Sequence, residues 1–432
     1  MYILYSLVLG FAALLSLPWW ILQMARLGKY RAGLRERLGT VPKRLQHHRE
    51  AGCIWIHAVS VGEVLAVSQL VSEFKRIDAK RDVFVSTTTA TGQQLARQRF
   101  GADRVFYMPL DFRFALRPYF AALRPSLLIL AEAEFWPNLV HAAKKNGVAV
   151  AVVNARVSDR SFPRYRRFRR LFSGVLSEID FYLAQTEEDA RRLKAIGAPE
   201  ERVAVSGNLK FDIRLSAASS LAQELRKAIR ADSPILVCGS TAEGEEELVL
   251  AAFREVLQQF PSAVMVLAPR HPERFDKVAD LIAAAGLKLV RRSVWNAQDE
   301  CCLPGGAVFL LDSVGELASV YAIADVAFVG GSLVPLGGHN ILEPAQHGVA
   351  VMTGPHTQNF REIVRIFEQG GGLRVVDAAS LGSSFIELLS NAEERRGLGR
   401  RARELFLKNT GATERTLAAL QPLLTGRAAE AK

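Results

Sequence analysis

The sequence predicts an α/β protein with two doubly wound, Rossmann-like domains that face a central cleft, preceded by a membrane anchor. Three observations predict this arrangement: an uncharged N-terminal segment, an alternation of short apolar runs with amphipathic stretches after residue 50, and a break in that alternation near residue 215. With 432 residues, of which 49% are hydrophobic and 23% charged, the chain is long enough for two cores and too apolar for a disordered protein.

The N-terminal segment, residues 1–25, contains no charged side chain. A spanning helix needs about 20 apolar residues, and Trp19 and Trp20 suit an interfacial belt. Residues 26–50 are rich in Lys and Arg, so the positive-inside rule predicts a single-pass protein of the inner membrane with its domains on the cytoplasmic face. Two alternatives remain: a cleaved signal peptide, although no basic residue precedes the apolar core, and a helix lying in the membrane interface, which Pro18 favours over a straight span.

The chain is basic, with a net charge of +11 and a pI of about 9.7. This excess predicts an anionic partner: nucleic acid, an acidic membrane surface or a phosphorylated substrate. The cysteines have no C-x-x-C spacing and are interpreted as reduced thiols in a reducing compartment. They are Cys53, Cys238, Cys301 and Cys302.

Fourteen apolar runs carry the prediction of two sheets. They are CIWIH, DVFVS, RVFYM, SLLIL, VAVAVV, FYLA and RVAVSG in the first half, and ILVCGS, AVMVLAP, LKLVRR, VFLLD, VAFVGG, AVMTGP and LRVV in the second. Strands buried on both faces read as continuous apolar runs, and their alternation with helices indicates parallel sheets. The sequence therefore predicts one domain over residues 51–215 and another over residues 216–432, which ends in charged helices.

Polar and glycine-rich motifs follow the ends of several predicted strands. Glu63 stands where CIWIHAV gives way to a helical pattern, and Gly239-Ser240 follows the first strand of the second half. PRHPE, SVGEL and GGSLVPLGGHN follow later strands of that half. The carboxyl ends of parallel strands form one edge of a sheet, where doubly wound folds bind ligands. With two such domains, the cleft between them is the expected site.

A segment rich in arginine and aromatic residues, RSFPRYRRFRRLF, covers residues 160–172. Its pattern suits single-stranded nucleic acid, an anionic lipid surface or a plain solvated helix face. The predicted anchor brings lipid beside this segment, which favours contact with the membrane and with a phosphorylated acceptor over nucleic acid. The residues predicted for that contact are Arg164, Arg166, Arg167, Phe168 and Arg170.

Six motifs in this order resemble the 3-deoxy-D-manno-octulosonic acid (Kdo) transferases of lipopolysaccharide synthesis. They are HAVSVGEVLA, EAEFWPNL, GNLKFD, APRHPERF, SVGELASVY and GGSLVPLGGHNILEPA, and together they span nearly the whole chain. The resemblance implies a GT-B fold and an inverting transfer of Kdo from CMP-Kdo to a lipid A precursor, the tetraacyldisaccharide 1,4′-bisphosphate. It also implies that the N-terminal domain binds the acceptor and that the C-terminal domain binds the donor.

The same resemblance implies a role for individual residues. Glu63 corresponds to the general base, and Glu134 and Lys210 correspond to groups that stabilise the transition state. Each has a structural alternative: Glu63 as an acid of a first helical turn, Glu134 as the cap of the helix that follows it, and Lys210 as a surface charge between the domains. The positions that correspond to nucleotide contacts are Pro269, Arg270, His271, Val314, Gly315, Glu316, Asn340, Ile341, Leu342 and Glu343.

The chemistry of the donor fits these positions. Arg270 offers planar, bidentate donors to phosphate, the backbone of residues 330–332 offers N–H groups, and Glu343 suits a ribose diol. Around Ser313 and Val314 the family more often has Thr and Met, a change that main-chain contacts would tolerate and side-chain contacts would not. No D-x-D motif occurs, and the histidines do not cluster with acids at ligand spacing, so no metal or other cofactor is expected.

Two other functions compete with Kdo transfer. One is another membrane-associated GT-B enzyme that uses a UDP-sugar and a lipid-linked acceptor. The other is a membrane-tethered binding protein without catalysis. The motifs around Arg270 and Asn340 favour the Kdo transferase, whose expected partners are CMP-Kdo, a lipid A precursor and anionic lipids of the inner membrane, with no nucleic acid.

Overall fold

The structure is a computed structural model and describes residues 2–27, 32–45, 52–159, 161–212, 220–296 and 303–425. Several positions named in the sequence analysis lie outside these ranges. They are Cys301, Cys302, Arg160, the predicted domain boundary at residue 215 and parts of the basic stretch 26–50. The chain forms two compact units, one of Met1–Asp212 with Thr410–Lys432 and one of Ile213–Asn409. Each unit contains one parallel seven-stranded sheet.

The first unit begins with a long apolar helix and continues as alternating strands and helices. Its strands are β1 Cys53–His57, β2 Val83–Thr87, β3 Val105–Tyr107, β4 Pro125–Ala131, β5 Ala149–Ala155, β6 Phe181–Ala184 and β7 Val203–Val205. Its helices up to β7 are α1 Tyr2–Leu27, α2 Leu34–Arg37, α3 Val61–Ile77, α4 Ala90–Phe100, α5 Arg113–Leu123, α6 Pro137–Lys145, α7 Phe162–Arg167, α8 Arg169–Leu176 and α9 Glu187–Ile196. The strand order is β3-β2-β1-β4-β5-β6-β7.

The second unit repeats this plan. Its strands are β8 Ile235–Thr241, β9 Val264–Pro269, β10 Lys288–Arg291, β11 Ala307–Leu310, β12 Val326–Val329, β13 Ala350–Thr353 and β14 Arg374–Val375. Its helices are α10 Ser220–Ala228, α11 Glu246–Gln259, α12 Phe275–Ala284, α13 Leu317–Val320, α14 Leu342–Ala345, α15 Arg361–Gln369, α16 Leu381–Ser390 and α17 Ala392–Asn409. The strand order is β10-β11-β9-β8-β12-β13-β14.

Both sheets are covered by helices on their two faces, as the continuous apolar runs predict. In β1, Trp55 and Ile56 point to opposite faces of the sheet because side chains alternate along a strand. Both are fully buried, and each belongs to a different hydrophobic cluster of the first unit. All fourteen runs identified in the sequence form strands, so the prediction of two doubly wound sheets is confirmed.

The last helix, α18 (Ala412–Thr425), belongs to the first unit, so the prediction that residues 216–432 form a single domain is wrong. The physical reason is packing. Ala412 and Leu420 are fully buried in a hydrophobic cluster of the first unit, against side chains of its sheet and of α3. The backbone N–H of Gly411 donates to Asp212 Oδ1 at 2.7 Å, which ties the returning chain to the point where it left that unit.

Candidate active site

Strained backbone marks the carboxyl edges of both sheets. Glu132 follows β4, Asn154 lies near the end of β5 and Ser240 near the end of β8, and all three have left-handed backbone with φ of 57°, 54° and 55°. This conformation costs a non-glycine residue on the order of 1–3 kcal/mol and is typical of functional sites. The side chains around these three residues are therefore the first place to look for chemistry.

Glu63 lies in the first turn of α3 and is only 6% exposed. Its carboxylate accepts hydrogen bonds from the Val59 backbone N–H and from the Ser60 hydroxyl, each at 2.8 Å. Ser60 is the N-cap of α3, and its Oγ in turn accepts from the Glu63 backbone N–H. The spacing S-x-x-E brings these groups together as in a capping box, with the difference that Glu63 accepts from the N–H of Val59 and not from that of the N-cap residue itself. The structural alternative for Glu63 is thus present, and it also fixes the carboxylate in one orientation.

Burial raises the pKa of Glu63 to about 7. The hydrogen bond from Val59 lowers it, the carboxylates of Glu132 and Glu134 raise it, and the bond from Ser60 lowers it. A general base works best when its pKa lies close to the working pH. The environment of Glu63 therefore suits a group that takes up a proton near neutrality.

Glu134 does not cap the helix that follows it. The N-terminus of α6 is capped by Asp111, whose carboxylate accepts from the backbone N–H groups of Asn138 and Leu139 at 3.1 and 2.8 Å. Glu134 instead accepts from the indole N–H of Trp136 at 2.9 Å, and burial raises its pKa. The structural alternative for this residue is therefore wrong, and its carboxylate belongs to the group around Glu63.

Lys210 lies beside the first turn of α3, which carries Glu63. Its Nζ donates to Glu132 Oε1 at 3.0 Å, and a Cβ placed on Gly62 would lie 4.0 Å from that Nζ. The structure thus brings Glu63, Glu134 and Lys210 to one edge of the first sheet and adds Glu132, which was not predicted. The signal for Glu132 was its place, as the first acid after the apolar run SLLILA.

Asn154 fixes the loop that carries Lys210. It is fully buried, and its Oδ1 accepts from the backbone N–H of Leu209 at 2.9 Å. Within the described residues its Nδ2 has no hydrogen-bond partner. An amide in the otherwise apolar run AVAVVNA was the sequence signal for this position. Asn154 is best described as a positioning residue, because it acts through the backbone next to Lys210.

Replacing Ser60 with alanine is expected to shift the acidic limb of kcat/KM to higher pH. The hydroxyl stabilises the ionised form of Glu63, so its loss raises the pKa of that carboxylate. The measurement is a pH–rate profile. Ser68→Ala, on the same helix with its hydroxyl bonded to Val64 O, is the control that should leave the limb in place. An unmoved limb in Ser60→Ala would contradict the role given to the cap.

At the carboxyl edge of the second sheet, Arg270 lies near His339 and Glu343. Burial raises the pKa of Glu343, and the charge of Arg270 offsets part of that rise. The pKa of His339 is lowered to about 4, mainly by burial and in smaller part by the charges of Arg270 and His271. The Arg270 side chain is exposed, while its backbone N–H donates to Thr241 O at 2.9 Å. His339 is an addition to the predicted residues, and its signal was its place in the motif GGHN.

The remaining predicted donor positions divide by exposure. Pro269 is buried, and Ile341 and Leu342 are fully buried. Asn340 accepts from the Leu342 backbone N–H at 3.1 Å and orders the turn before α14. Val314 is 80% exposed.

Glu316 is engaged by its own neighbours. The guanidinium of Arg292 donates to both of its oxygens, at 3.1 and 3.2 Å, and the Ser313 hydroxyl donates to one of them. Gly315 has φ of 93°, and a Cβ added to it would have no contact within 4 Å. The backbone of the turn SVGE is thus accessible at Gly315, and the ion pair between Arg292 and Glu316 holds the turn in place.

The predicted phosphate cradle at residues 330–332 is already occupied. Glu245 is fully buried, and its carboxylate accepts from four backbone N–H groups at 2.6–2.9 Å, those of Ala242, Gly331, Ser332 and Leu333. A Cβ on Gly330 would lie 2.8 Å from Glu245 Oε2, so glycine is needed there. The prediction that these amides bind the nucleotide phosphate is wrong, because an internal carboxylate fills the place of the anion.

The comparisons with known proteins show the family of the chain. A family profile described as 3-Deoxy-D-manno-octulosonic-acid transferase (kdotransferase) matches residues 32–213. A 3-deoxy-D-manno-octulosonic acid transferase from Haemophilus influenzae is 36% identical over 408 residues, which cover 92% of each chain. This chain belongs to the 3-deoxy-D-manno-octulosonic acid transferase family. It is therefore a glycosyltransferase.

A second relative and a solved structure extend the comparison. The 3-deoxy-D-manno-octulosonic acid transferase from Bordetella pertussis is 36% identical over 384 residues, 87% of this chain and 88% of that one. A crystal structure from Listeria monocytogenes, described as a UDP-N-acetylglucosamine 2-epimerase, has a TM-score of 0.52 and 14% identity and covers 88% of this chain and 98% of that one. The latter shows the fold alone, and the two units of the transferase have the GT-B fold.

Four further predictions concern the exposed basic residues, the apolar helix, the thiols and the metal independence of the transferase. The predicted contact residues around Phe168 are all exposed, and Phe168 separates α7 from α8. Among the described helices, α1 alone is long and apolar enough to cross a membrane, over Tyr2–Trp20, by length and composition. Cys53 and Cys238 are buried and free. Among the described residues no group of three or more His, Cys, Asp and Glu could hold a metal, and metal independence stays a prediction.

Proposed function

We propose that this enzyme transfers Kdo from CMP-Kdo to a lipid A precursor, with inversion, at the cytoplasmic face of the inner membrane. The observation that carries the proposal is Glu63, a buried carboxylate with a pKa of about 7, held in one orientation by Val59 and Ser60. Lys210, Glu132 and the family membership of the chain support it.

In the proposed reaction, Glu63 takes the proton from a sugar hydroxyl of the acceptor. The oxygen of that hydroxyl attacks the anomeric carbon of Kdo from the face opposite the phosphate, and the bond from that carbon to the phosphate oxygen breaks. CMP leaves with the electron pair of the broken bond, and Arg270 receives its charge. Lys210 pairs with the Kdo carboxylate or with the departing phosphate, and Glu134 stabilises positive charge at the reacting centre.

We propose that the donor is held by the second unit. The exposed guanidinium of Arg270 and the imidazole of His271 reach phosphate, and the main chain of Val314, Gly315 and Glu316 contacts the nucleotide. The other proposed contacts are Pro269, Asn340, Ile341 and Leu342 in the turns beside these residues, and Glu343 at the ribose. No metal or other cofactor takes part in the proposed reaction.

Replacing Arg270 with alanine is expected to lower kcat/KM for CMP-Kdo by about 10- to 100-fold, because a charge-assisted hydrogen bond contributes roughly 1.5–3 kcal/mol. Part of the loss should appear as a higher KM for the donor. Steady-state kinetics at saturating acceptor measure it. Lys277→Ala removes an exposed cation that pairs with Glu243 and serves as the control. Unchanged donor kinetics in Arg270→Ala would refute the assignment.

We propose that the acceptor and the membrane meet the exposed segment of α7 and α8. Arg164, Arg166, Arg167 and Arg170 offer guanidinium groups to the acceptor phosphates and to anionic lipids, and Phe168 contacts the acyl region. The apolar α1 attaches the enzyme to the inner membrane. The sequence predicts a single-pass span for this helix.

The test of the proposed function is mass spectrometry of the product formed from CMP-Kdo and the tetraacyldisaccharide 1,4′-bisphosphate. The expected product is the acceptor with Kdo attached, formed equally in EDTA. A product that forms only with a UDP-sugar would favour the alternative GT-B enzyme. Loss of activity in EDTA, with recovery on addition of Mg²⁺, would contradict the absence of a metal.

A further inference from the structure

Helix α1 contacts the first unit near its N-terminal end. The residues that make these contacts, Tyr2, Tyr5, Ser6 and Gly10, follow helical spacing. Most of the large apolar side chains of α1 are between 47% and 79% exposed, namely Ile3, Leu4, Leu7, Val8, Phe11, Leu14, Leu15, Leu17 and Trp19. The first turns of α1 therefore have a fixed side toward the protein, whereas residues 11–15 are exposed around the whole helix and leave its apolar surface unpartnered.

The N-terminal end of α1 is attached to the first unit by polar contacts. The Tyr2 hydroxyl donates to Glu178 Oε1 at 2.7 Å, and its ring stacks on His141 with centroids 3.9 Å apart. The Asn138 amide donates to Ser6 Oγ at 2.9 Å. The Tyr5 hydroxyl is hydrogen-bonded to Asp111, which also caps α6. These partners are polar or charged side chains of a folded domain, so they lie outside the hydrocarbon core of the membrane.

The C-terminal end of α1 is tethered to the same unit. Leu27 and Gly33 are six residues apart, so they lie within about 20 Å of each other. Gly33 packs directly on the first unit, because a Cβ placed there would lie 1.9 Å from the Tyr107 ring. The Tyr107 backbone N–H donates to Glu36 Oε2 at 2.7 Å, which fixes α2 against β3.

These two attachments conflict with a transmembrane path. The 26 residues of α1 extend over about 39 Å, and the hydrocarbon core is about 30 Å thick. If α1 crossed that core with its basic end in the cytoplasm, Tyr2 and Ser6 would lie on the far side. Their partners Glu178, Asp111 and Asn138 belong to the domain on the near side, so the observed contacts could not form.

We infer that α1 lies in the plane of the membrane, with its exposed apolar side chains in the lipid of one anionic leaflet and the polar side chains of its first turns on the first unit. Charge complementarity supports lipid as the occupant. Helix α6 contacts both α1 and α8, so the exposed arginines of α8 and of the adjoining α7 belong to the same part of the first unit as α1. Phe114 and Phe168 are also exposed, at 61% and 49%, and add apolar contacts. Basic residues close to anionic headgroups strengthen membrane binding.

The first experiment locates the N-terminus of the full-length enzyme. An epitope tag before Met1 is exposed to protease in intact spheroplasts and, separately, in inverted inner-membrane vesicles, with a C-terminal tag as the reference. The in-plane arrangement predicts that both tags are digested only in inverted vesicles. Digestion of the N-terminal tag in intact spheroplasts would overturn the inference in favour of a single-pass span.

The second experiment measures binding of the purified enzyme to protein-free phosphatidylglycerol vesicles by flotation. Leu7→Asp combined with Leu14→Asp, on the exposed face, is expected to reduce the bound fraction at least tenfold. Ile77→Asp, which is equally exposed but lies on α3, is the control and should bind normally. Equal melting temperatures of the variants establish folding. Undiminished binding of the double variant, or binding to inner-membrane vesicles alone, would overturn the inference, the latter in favour of a protein partner.

Discussion

Glu63→Gln is expected to lower kcat by about 10²- to 10⁴-fold, because glutamine cannot take up the acceptor proton. The substitution keeps an oxygen that accepts from Val59 or Ser60, so the cap of α3 and the fold should persist. The KM for CMP-Kdo should stay within a few-fold of its original value. Steady-state kinetics test this, with Glu73→Gln, whose carboxylate pairs with Arg76 on the same helix, as the control. Near-normal turnover of Glu63→Gln would end the case for this base.

The pH dependence gives an independent test of Glu63. A base must be ionised, so kcat/KM should rise as the pH increases through about 7 and then level off. The folded-state pKa lies above the usual value of 4.5, so the proton stabilises the folded state, and this stabilisation is lost as the pH rises through 7. The melting temperature of Glu63→Gln should therefore increase relative to the original enzyme between pH 5 and pH 8.

Lys210→Met is expected to lower kcat/KM by about 10²-fold or more, the scale of losing one group that stabilises developing charge. It also leaves the Glu132 carboxylate without its cation beside Glu63. That uncompensated charge raises the pKa of Glu63, so the acidic limb should move to higher pH.

Two variants separate charge from packing at Lys210. Lys210→Arg keeps the cation and should retain much more activity than Lys210→Met. The double variant Glu132→Gln with Lys210→Met removes the uncompensated carboxylate and should return the limb toward lower pH without restoring kcat. Lys194→Met, which breaks an exposed pair with Glu200, is the control. Unchanged kcat/KM in Lys210→Met would count decisively against the proposed role.

The sheets could be predicted because their signal is local. Each buried strand is an apolar run, and each run is followed by a helical pattern, so CIWIH and ILVCGS show their structure without reference to the rest of the chain. The unit against which α18 packs could not be predicted in this way. An amphipathic helix shows that it has an apolar face, but its sequence does not say which of two sheets that face covers.

The candidate site was predictable only where a motif carries the chemistry. Glu63, Lys210 and Arg270 stand in such motifs, whereas Glu132 and Asn154 owe their position to the order of strands and to left-handed backbone. The prediction of a phosphate site at the amides of residues 330–332 was wrong for a different reason. Glycine-rich turns expose amides to any anion, and only the folded chain brings the Glu245 carboxylate, 86 residues before Gly331 in sequence, to those amides.

The buried Glu245 carboxylate has a consequence for how the donor arrives. Three of its four hydrogen bonds come from backbone N–H groups of the loop after β12, so a side chain of the protein itself holds that loop in place. Capture of the donor should then proceed without a slow isomerisation of that loop. Selectivity among nucleotides would depend on side chains at the rim, which can be exchanged one at a time without disturbing the scaffold beneath them.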